Sequence, residues 1–500
     1  MAQCAMSASA DNRSSTFCPA TKRKYVLYAA VLASALAMID GSVVSIATPA
    51  IRASLNGSLQ DAQWISNAYL LPLASLILLG GAAGDRFGLR RVFAGGIALF
   101  VIASLLCAAA WSVESLIAFR AIKGVGAAFM VPSSLAIIAK AYPKAERGKA
   151  IGTWAAASAI TTALGPIIGG FVLAQGGPEI WRLLFAINLP LGGLALWMLL
   201  TKVPADAMAK RGPLDVTGAV LAVAFLGALA WALTGPEGES GSPSVAHIGS
   251  WLAVSLIGLI AFIFIERRAA SPIMPLHVFT NTMFNAANIA TFSLYFGLSA
   301  VLFYLPMTLI GGWQLSETEV GLLFVPLTIA IAGLSGPVGS LADKTGPGIL
   351  IAAGSAIVAA AYIFLAIGME WMSFWLHVFP SICLMAIGMA LVVAPLSAAV
   401  MGSVDDADTG TASGVNNAVS RVAGLVAVAA MGGLAAWRFN VSGAPGDFGL
   451  ALEQGADVAH LAAHNASFAT VAWFSAMMSA ISAIVAWIGV RSGPDRTASQ

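Results

Sequence analysis

Fourteen mostly apolar stretches follow one another along this chain. They run at 25–50, 63–83, 92–111, 114–139, 149–174, 181–201, 214–235, 249–266, 283–310, 319–341, 348–368, 374–402, 412–436 and 467–490. A helix needs about 20 such residues to cross the hydrocarbon core of a bilayer. In lipid a chain must satisfy its own backbone hydrogen bonds, and a helix does so within one segment. The chain is 59% hydrophobic and 10% charged, where soluble domains carry about 25% charged residues. The expectation is an all-α integral membrane protein.

The remaining charges give an orientation. With an inside N-terminus, 19 of the 25 Lys and Arg fall in loops on the cytoplasmic side, three fall outside (Arg52, Arg182, Arg438) and three lie within spans (Arg120, Lys123, Arg421). The inside set includes Arg13, Lys210, Arg211, Arg491 and Arg496. By the positive-inside rule both termini are cytoplasmic. Asp405, Asp406 and Asp408 break the pattern in one inner loop and are expected to cap the thirteenth span, where acids suit the helix dipole. The bases sit in short loops rather than on one face, so nucleic-acid binding has no support. The cysteines at 4, 18, 107 and 383 have no metal-ligand spacing and imply no disulfide framework. His460 and His464 are expected as a solvated pair in an external loop, not a metal site. No cofactor is implied.

One charged turn occurs twice. GAAGDRFGLRR at 81–91 and GSLADKTGPG at 339–348 match in Gly81, Asp85, Arg86 and Gly88 against Gly339, Asp343, Lys344 and Gly346. A repeated turn between apolar spans points to a duplicated bundle. The expected division is a tail at 1–21, a six-helix bundle at 22–205, a two-helix insert at 206–275, a second six-helix bundle at 276–491 and a tail at 492–500. Two facing bundles suit a protein that rocks about a central cavity.

The first turn resembles the loop signature of the major facilitator superfamily. RAIKGVGAA (120–128) is similar to the family's fourth-span motif, with Lys123 where Gln is usual. ALGPIIGG (163–170), with Gly165, Pro166, Gly169 and Gly170, resembles its antiporter motif. WRLLFAINLPLG (181–192), ERRAASPIMPLHVF (266–279) and GTASGVNNAVSRVAG (410–424) are similar to the fourteen-span drug:proton antiporter branch. The resemblance implies the major facilitator fold with two inserted helices. It implies a non-enzymatic, proton-coupled exporter of small amphipathic compounds in the cytoplasmic (inner) membrane, with protons and membrane lipid as partners. It leaves room for accessory periplasmic and outer-membrane components. The rivals are a proton-coupled metabolite carrier or importer on the same fold and a transport-inactive membrane sensor.

The residues carry physical readings of their own. Asp40 is alone among apolar neighbours, and an ionisable group in mid-membrane is costly and a functional hypothesis by default. Counting along the helices puts Asp40 roughly 20 Å from the inner edge and Arg120 roughly 10 Å from the outer edge of a core about 30 Å thick, so their depths agree. They are the candidate proton-coupling pair, and Lys123, three residues on, shares Arg120's face. The charged turn reads as a cytoplasmic gate: Gly88 makes the turn, Asp85 faces a helix N-terminus of the other bundle, and Arg86, Arg90 and Arg91 reach acids or lipid headgroups. Gly165 and Gly169 allow a neighbouring helix close, and Pro166 bends its span. With Lys123, Arg421, Asn416 and Asn417 are the cavity candidates; the two asparagines either line the cavity or cap their helix.

The orientation makes residues 236–247 external and 205–212 cytoplasmic. Reporter fusions at both sites are expected to report opposite sides; cytoplasmic signals from both would mean that the insert does not span.

Overall fold

A computed structural model of the protein describes residues 17–177, 179–206, 213–236, 243–405, 408–452 and 457–490. Arg13, Lys210, Arg211, Glu237, Glu239, Asp406, Arg491 and Arg496, most of the N-terminal tail and all of the C-terminal tail lie outside the described residues.

The chain is a succession of helices: α1 (Arg23–Leu55), α2 (Leu59–Phe87), α3 (Leu89–Ala108), α4 (Val113–Ala141), α5 (Lys144–Leu173), α6 (Arg182–Ala186), α7 (Asn188–Lys202), α8 (Val216–Leu233), α9 (Val245–Glu266), α10 (Thr282–Met307), α11 (Glu317–Leu322), α12 (Val325–Thr345), α13 (Pro347–Gly368), α14 (Phe379–Gly402), α15 (Thr409–Val441) and α16 (Val458–Gly489). Among the described residues thirteen helical stretches are long and apolar enough to cross a membrane, several of them built from two successive helices. The 30-residue α5 stands where the fifth span was expected, its apolar part running from Leu164 to Leu173. The arrangement is compatible with fourteen spans.

Two large apolar cores organise the molecule. One is built from α1–α5 and α7, around Phe93, Ile97, Phe100 and Met130. The other is built chiefly from α10–α16, around Tyr304, Tyr362, Met385 and Phe468. Apolar driving force cannot hold helices together in lipid, so small residues at the crossings do, by letting backbones approach. A Cβ at Gly126 would stand 2.7 Å from the Phe100 nitrogen and 3.1 Å from the Gly96 oxygen, where α3 crosses α4. In the second core Gly354 and Gly388 oppose each other in the same way across α13 and α14, with would-be Cβ atoms 2.6 and 2.7 Å from the partner's carbonyl oxygen.

The repeated turn is repeated in conformation. Gly88 ends α2 and opens α3 with φ 94° and ψ 129°; Gly346 ends α12 and opens α13 with φ 84° and ψ 147°. Positive φ costs glycine little and other residues much, which explains a glycine at both positions.

Helix α8 lies against α2 and α15, and α9 packs on α8, with Phe225, Phe262, Leu226 and Leu76 in the seams. Much of α9 faces outward: Val254, Ile257 and Ile260 are all about half exposed or more, as lipid contact requires.

Two expectations are corrected. The last span begins earlier than 467: Asp457 caps the N-terminus of α16 through the Ala459 amide, and the alanine-rich VAHLAAHNAS sequence continues the helix. His460 and His464 are therefore helical and buried, not solvated. Asp408 makes no side-chain cap for α15; its carboxylate instead meets His277 Nε2 at 2.8 Å.

Candidate functional site

α1 carries Asp40 into the middle of the first core, where no part of its side chain is exposed. α4 runs beside it and presents Arg120 and Lys123 from adjacent turns. Arg120 Nη1 donates to Asp40 Oδ2, and Lys123 Nζ donates to Asp40 Oδ1. The expected Asp40–Arg120 pair is thus a triad. Arg120 is held further by its Nε, which donates to the Ile65 carbonyl at 3.0 Å, and by the Tyr69 ring 4.5 Å from its guanidinium carbon. The Lys123 ammonium lies 4.7 Å from the Phe100 centroid and 4.8 Å from that of Phe185. Cations favour such aromatic faces, and more so when desolvated. One acid and two bases leave the cluster with a net charge of +1 when all are ionised.

Open space comes within one residue of this cluster. α1 is enclosed by α4, α5, α7 and α10, yet Gly41 is exposed and a Cβ there would meet nothing within 4 Å. Arg421, on α15, is half-buried, and its Nε has no hydrogen-bond partner. Asn417 is exposed and Nδ2 donates to its own helix at Ser413. Asn416 turns the other way, donating to Asn288 at 3.1 Å and Thr291 at 2.7 Å on α10. Both asparagines sit inside α15, not at its cap.

The glycines of the 163–170 motif work on two faces of α5. Gly165 and Gly169 pack on α1 just beyond Asp40: a Cβ at Gly165 would strike Ser42 and lie 3.2 Å from the Ile39 oxygen, and one at Gly169 would lie 2.7 Å from Val43. Gly170 faces the other bundle, where a Cβ would crowd the Glu317 carbonyl and stand 3.0 Å from the Thr318 Cα. Thr318 Oγ1 donates to the Gly170 carbonyl at 3.2 Å, and Gly321 packs on the Pro166 carbonyl.

The two cores are closed together at this end, opposite the Lys- and Arg-rich loops. Gln63 on α2 donates to the carbonyls of Val428 and Ala429 on α15 at 2.7 and 2.9 Å. Arg52 Nη1, at the end of α1, donates to the Phe448 carbonyl at 2.6 Å, and its Nε donates to Gly57 at 3.2 Å. The loop bearing Phe448 is pinned by the buried histidines: the Gly449 amide donates to His464 Nε2 at 2.8 Å, and His460 meets the carbonyls of Pro445 and Leu450 at 2.8 and 3.0 Å. At the basic end Gly148, Gly152, Gly333, Gly336 and Gly339 have nothing within 4 Å of a would-be Cβ.

At that basic end acids sit at helix N-termini: Asp215, which caps α8 through the Gly218 amide at 2.8 Å, and Asp206, after α7. Asp206 accepts from the Leu89 and Arg90 amides at 2.9 and 3.0 Å, capping α3, and from Lys140 at 2.9 Å. Burial opposes its ionisation. The Lys140 ammonium and the amides of Arg90 and Leu89 outweigh that and hold its carboxyl below the usual carboxylate range. Asp85 lies exposed on the last turn of α2, and Arg90 donates to the Leu199 carbonyl at 3.1 Å and to that of Leu200 at 2.5 Å. Asp206, Tyr69, Phe100, Phe185 and Arg52 do not stand out in the sequence. Only Phe185 carries a signal there, within WRLLFAINLPLG.

Two packed helical cores, the first with a charge cluster buried inside it, make the architecture of a multi-pass membrane transporter. Its sequence matches the Major Facilitator Superfamily over residues 30–428 and again over 287–500, and the chain belongs to that family. It is 32% identical over 421 residues to the tetracenomycin C resistance and export protein of Streptomyces glaucescens, covering 82% of this chain and 76% of that protein. It is 31% identical over 414 residues to the methylenomycin A resistance protein of Bacillus subtilis (strain 168), covering 81% and 86%. It is 32% identical over 417 residues to the puromycin resistance protein pur8 of Streptomyces alboniger, covering 82% and 81%. Among solved structures, a bacterial homolog of the human lysosomal transporter Spinster, inward-facing and unoccupied, superposes with a TM-score of 0.66 at 18% identity over 95% of this chain and 100% of that one. A D-xylose–proton symporter gives 0.64 at 17% identity over 94% and 98%. Both show the fold alone.

Asp206 gives a prediction with a definite sign. A carboxyl whose folded value is lowered stabilises above its unfolded value, near 3.9, and the effect is lost as pH falls through the folded value. Asp206→Asn is expected to lower stability by about 1 kcal/mol at neutral pH. The gap to wild type should close below about pH 4, as read by thermal unfolding in detergent.

Proposed function

We propose that this chain is a proton-coupled exporter of small amphipathic drugs, working outward across the cytoplasmic (inner) membrane by alternating access. The observation that carries the reading is the sealed Asp40–Arg120–Lys123 triad one residue from open space, in a molecule closed at the opposite end from its basic loops. The resistance and export names of its relatives support the drug class and the outward direction. The charge bias supports cytoplasmic termini and basic loops, so the closed end is external.

In this reading 22–205 and 276–491 are the moving bundles and 206–275 the insert. Asp40 and Arg120 belong to the coupling centre. Gly165, Pro166, Gly169 and Gly170 let α5 hold α1 and the second bundle at once, so that a change at Asp40 reaches the external closure. The turns with Gly81, Asp85, Arg86, Gly88, Arg90 and Arg91, and with Gly339, Asp343, Lys344 and Gly346, form the cytoplasmic gate. Lys123, Arg421 and Asn417 stand at or near the cavity. Protons and membrane lipid are its partners besides the substrate.

Asp40→Asn retains the side chain's shape but removes the charge that both bases face. It is expected to abolish pH-gradient-driven export at normal membrane levels, measured as drug resistance in an efflux-deficient host. Full resistance would remove Asp40 from the mechanism.

Charge also bears on substrate. The cavity has Arg421 on one side and a net cationic triad on the other, while Glu114, Glu179, Glu319 and Glu370 are exposed at the far rim. A divalent cation lacks a second buried carboxylate there. Resistance to a monovalent antiseptic is expected to exceed that to its divalent counterpart at equal expression; the reverse ranking would mean that a rim acid faces the cavity.

A further inference from the structure

We propose that the proton exchanged at the triad is carried on the Lys123 ammonium, with Asp40 remaining ionised throughout as its fixed counter-charge; this rests on the proton-coupled reading above.

The hydrogen bonds favour this assignment. Each Asp40 oxygen already accepts from a different cation, Oδ2 from Arg120 and Oδ1 from Lys123. A proton added to either oxygen would remove the negative charge that both cations face and weaken that oxygen as an acceptor. A proton removed from Lys123 leaves the Arg120–Asp40 pair whole and keeps a hydrogen bond at Oδ1, because a neutral amine has two hydrogens and can still donate one. Arg120 cannot take this role: a guanidinium does not deprotonate in proteins, and this one is tethered to Ile65 and Tyr69 as well.

Charge counting agrees. Protonating Asp40 would raise the buried cluster from +1 to +2, whereas deprotonating Lys123 brings it to zero. Low-dielectric surroundings penalise net charge steeply, and a buried ammonium gives up its proton far more readily than a guanidinium. The groups facing Lys123 offer no second acid. They are Asp40 from α1, Arg120 on its own helix, Cys107 from α3 and the rings of Phe100 and Phe185, with Tyr69 of α2 beyond Arg120. The resembled fourth-span motif usually has Gln at this position, which holds no exchangeable charge, so the second cation is a departure belonging to this chain.

In the step itself the Nζ–H bond breaks, its electron pair stays on nitrogen, and the proton passes to water in the space that opens at Gly41. The neutral cluster then tolerates a monocationic substrate, whose charge restores the sum to +1. Reprotonation of Lys123 from the other side of the membrane makes the sum +2 and expels the substrate. Proton and monocation thereby exclude each other without either binding Asp40 in the other's place.

The test uses purified full-length protein and ethidium, a monovalent cation, with a pH-sensitive dye in weakly buffered detergent solution. Wild type is expected to release protons when ethidium binds. Lys123→Arg, which keeps the charge but holds its proton, is expected to lose that release and to flatten the pH dependence of ethidium affinity. Release by Lys123→Arg equal to wild type overturns the inference and leaves the coupled reading standing. No release from wild type overturns that reading and the inference with it. Should Lys123→Arg fail to fold, infrared difference spectra between acid and neutral pH decide with wild type and Asp40→Asn. The inference expects no protonated-carboxyl band that Asp40→Asn removes, and such a band overturns it.

Discussion

Everything near the centre of this molecule is arranged around one expensive object, a carboxylate buried in a membrane protein. An unpaired charge there costs several kcal/mol, so Asp40 must be paired, and its partners must come from a helix pressed against α1. That requirement explains why α4 carries two bases three residues apart, on one face. It accounts for the rings of Tyr69, Phe100 and Phe185 as well, since the second base leaves a surplus of positive charge that these aromatic faces and the Ile65 carbonyl receive. Removing either base would leave the site poorer in bonds; removing the acid would strand two cations, a loss typically of about 3–5 kcal/mol for a broken buried pair.

The same helix that holds the acid is held by α5, and through α5 the charge cluster is mechanically joined to the interface between bundles. Gly165 and Gly169 set α5 against Ile39, Ser42 and Val43, the turn on either side of Asp40. One residue further, Gly170 touches the second bundle. The backbones are close enough that a side chain at Gly165 or Gly169 would push α5 off α1, and one at Gly170 would push it off α11. Packed interfaces of this kind switch between arrangements rather than deforming gradually.

Much of this arrangement is legible in the amino-acid sequence alone. The depths of Asp40 and Arg120 follow from helix rise, and the i, i+3 spacing brings Lys123 to the same acid. The repeated glycine turn is visible as Gly88 and Gly346, whose positive φ no other residue adopts cheaply. The features that stay hidden have weak or misleading signals. Phe100 and Tyr69 look like any aromatic in an apolar span. Asp206 is a lone acid in a loop, and only folding brings it to the start of α3. Arg52 counts merely as an external base. The histidines read as loop residues because 442–466 is less apolar than the spans on either side, yet its second part is an alanine-rich helix with an aspartate cap. Asn416 has the character of a cavity residue but packs α15 on α10, since polarity inside a span does not say which way a side chain points.

The closure between Arg52 and the opposite bundle is made to a backbone carbonyl, that of Phe448, and the histidines that shape the loop also bind its main chain. Recognition of this kind reads the path of the chain and ignores most of its letters. Side chains of the 443–452 loop that point away from Arg52 and the histidines thus take no part in making the closure. The loop can alter the side chains it presents to solvent while the seal behind it stays the same, provided that the glycines at 446 and 449, both at positive φ, still let the chain turn.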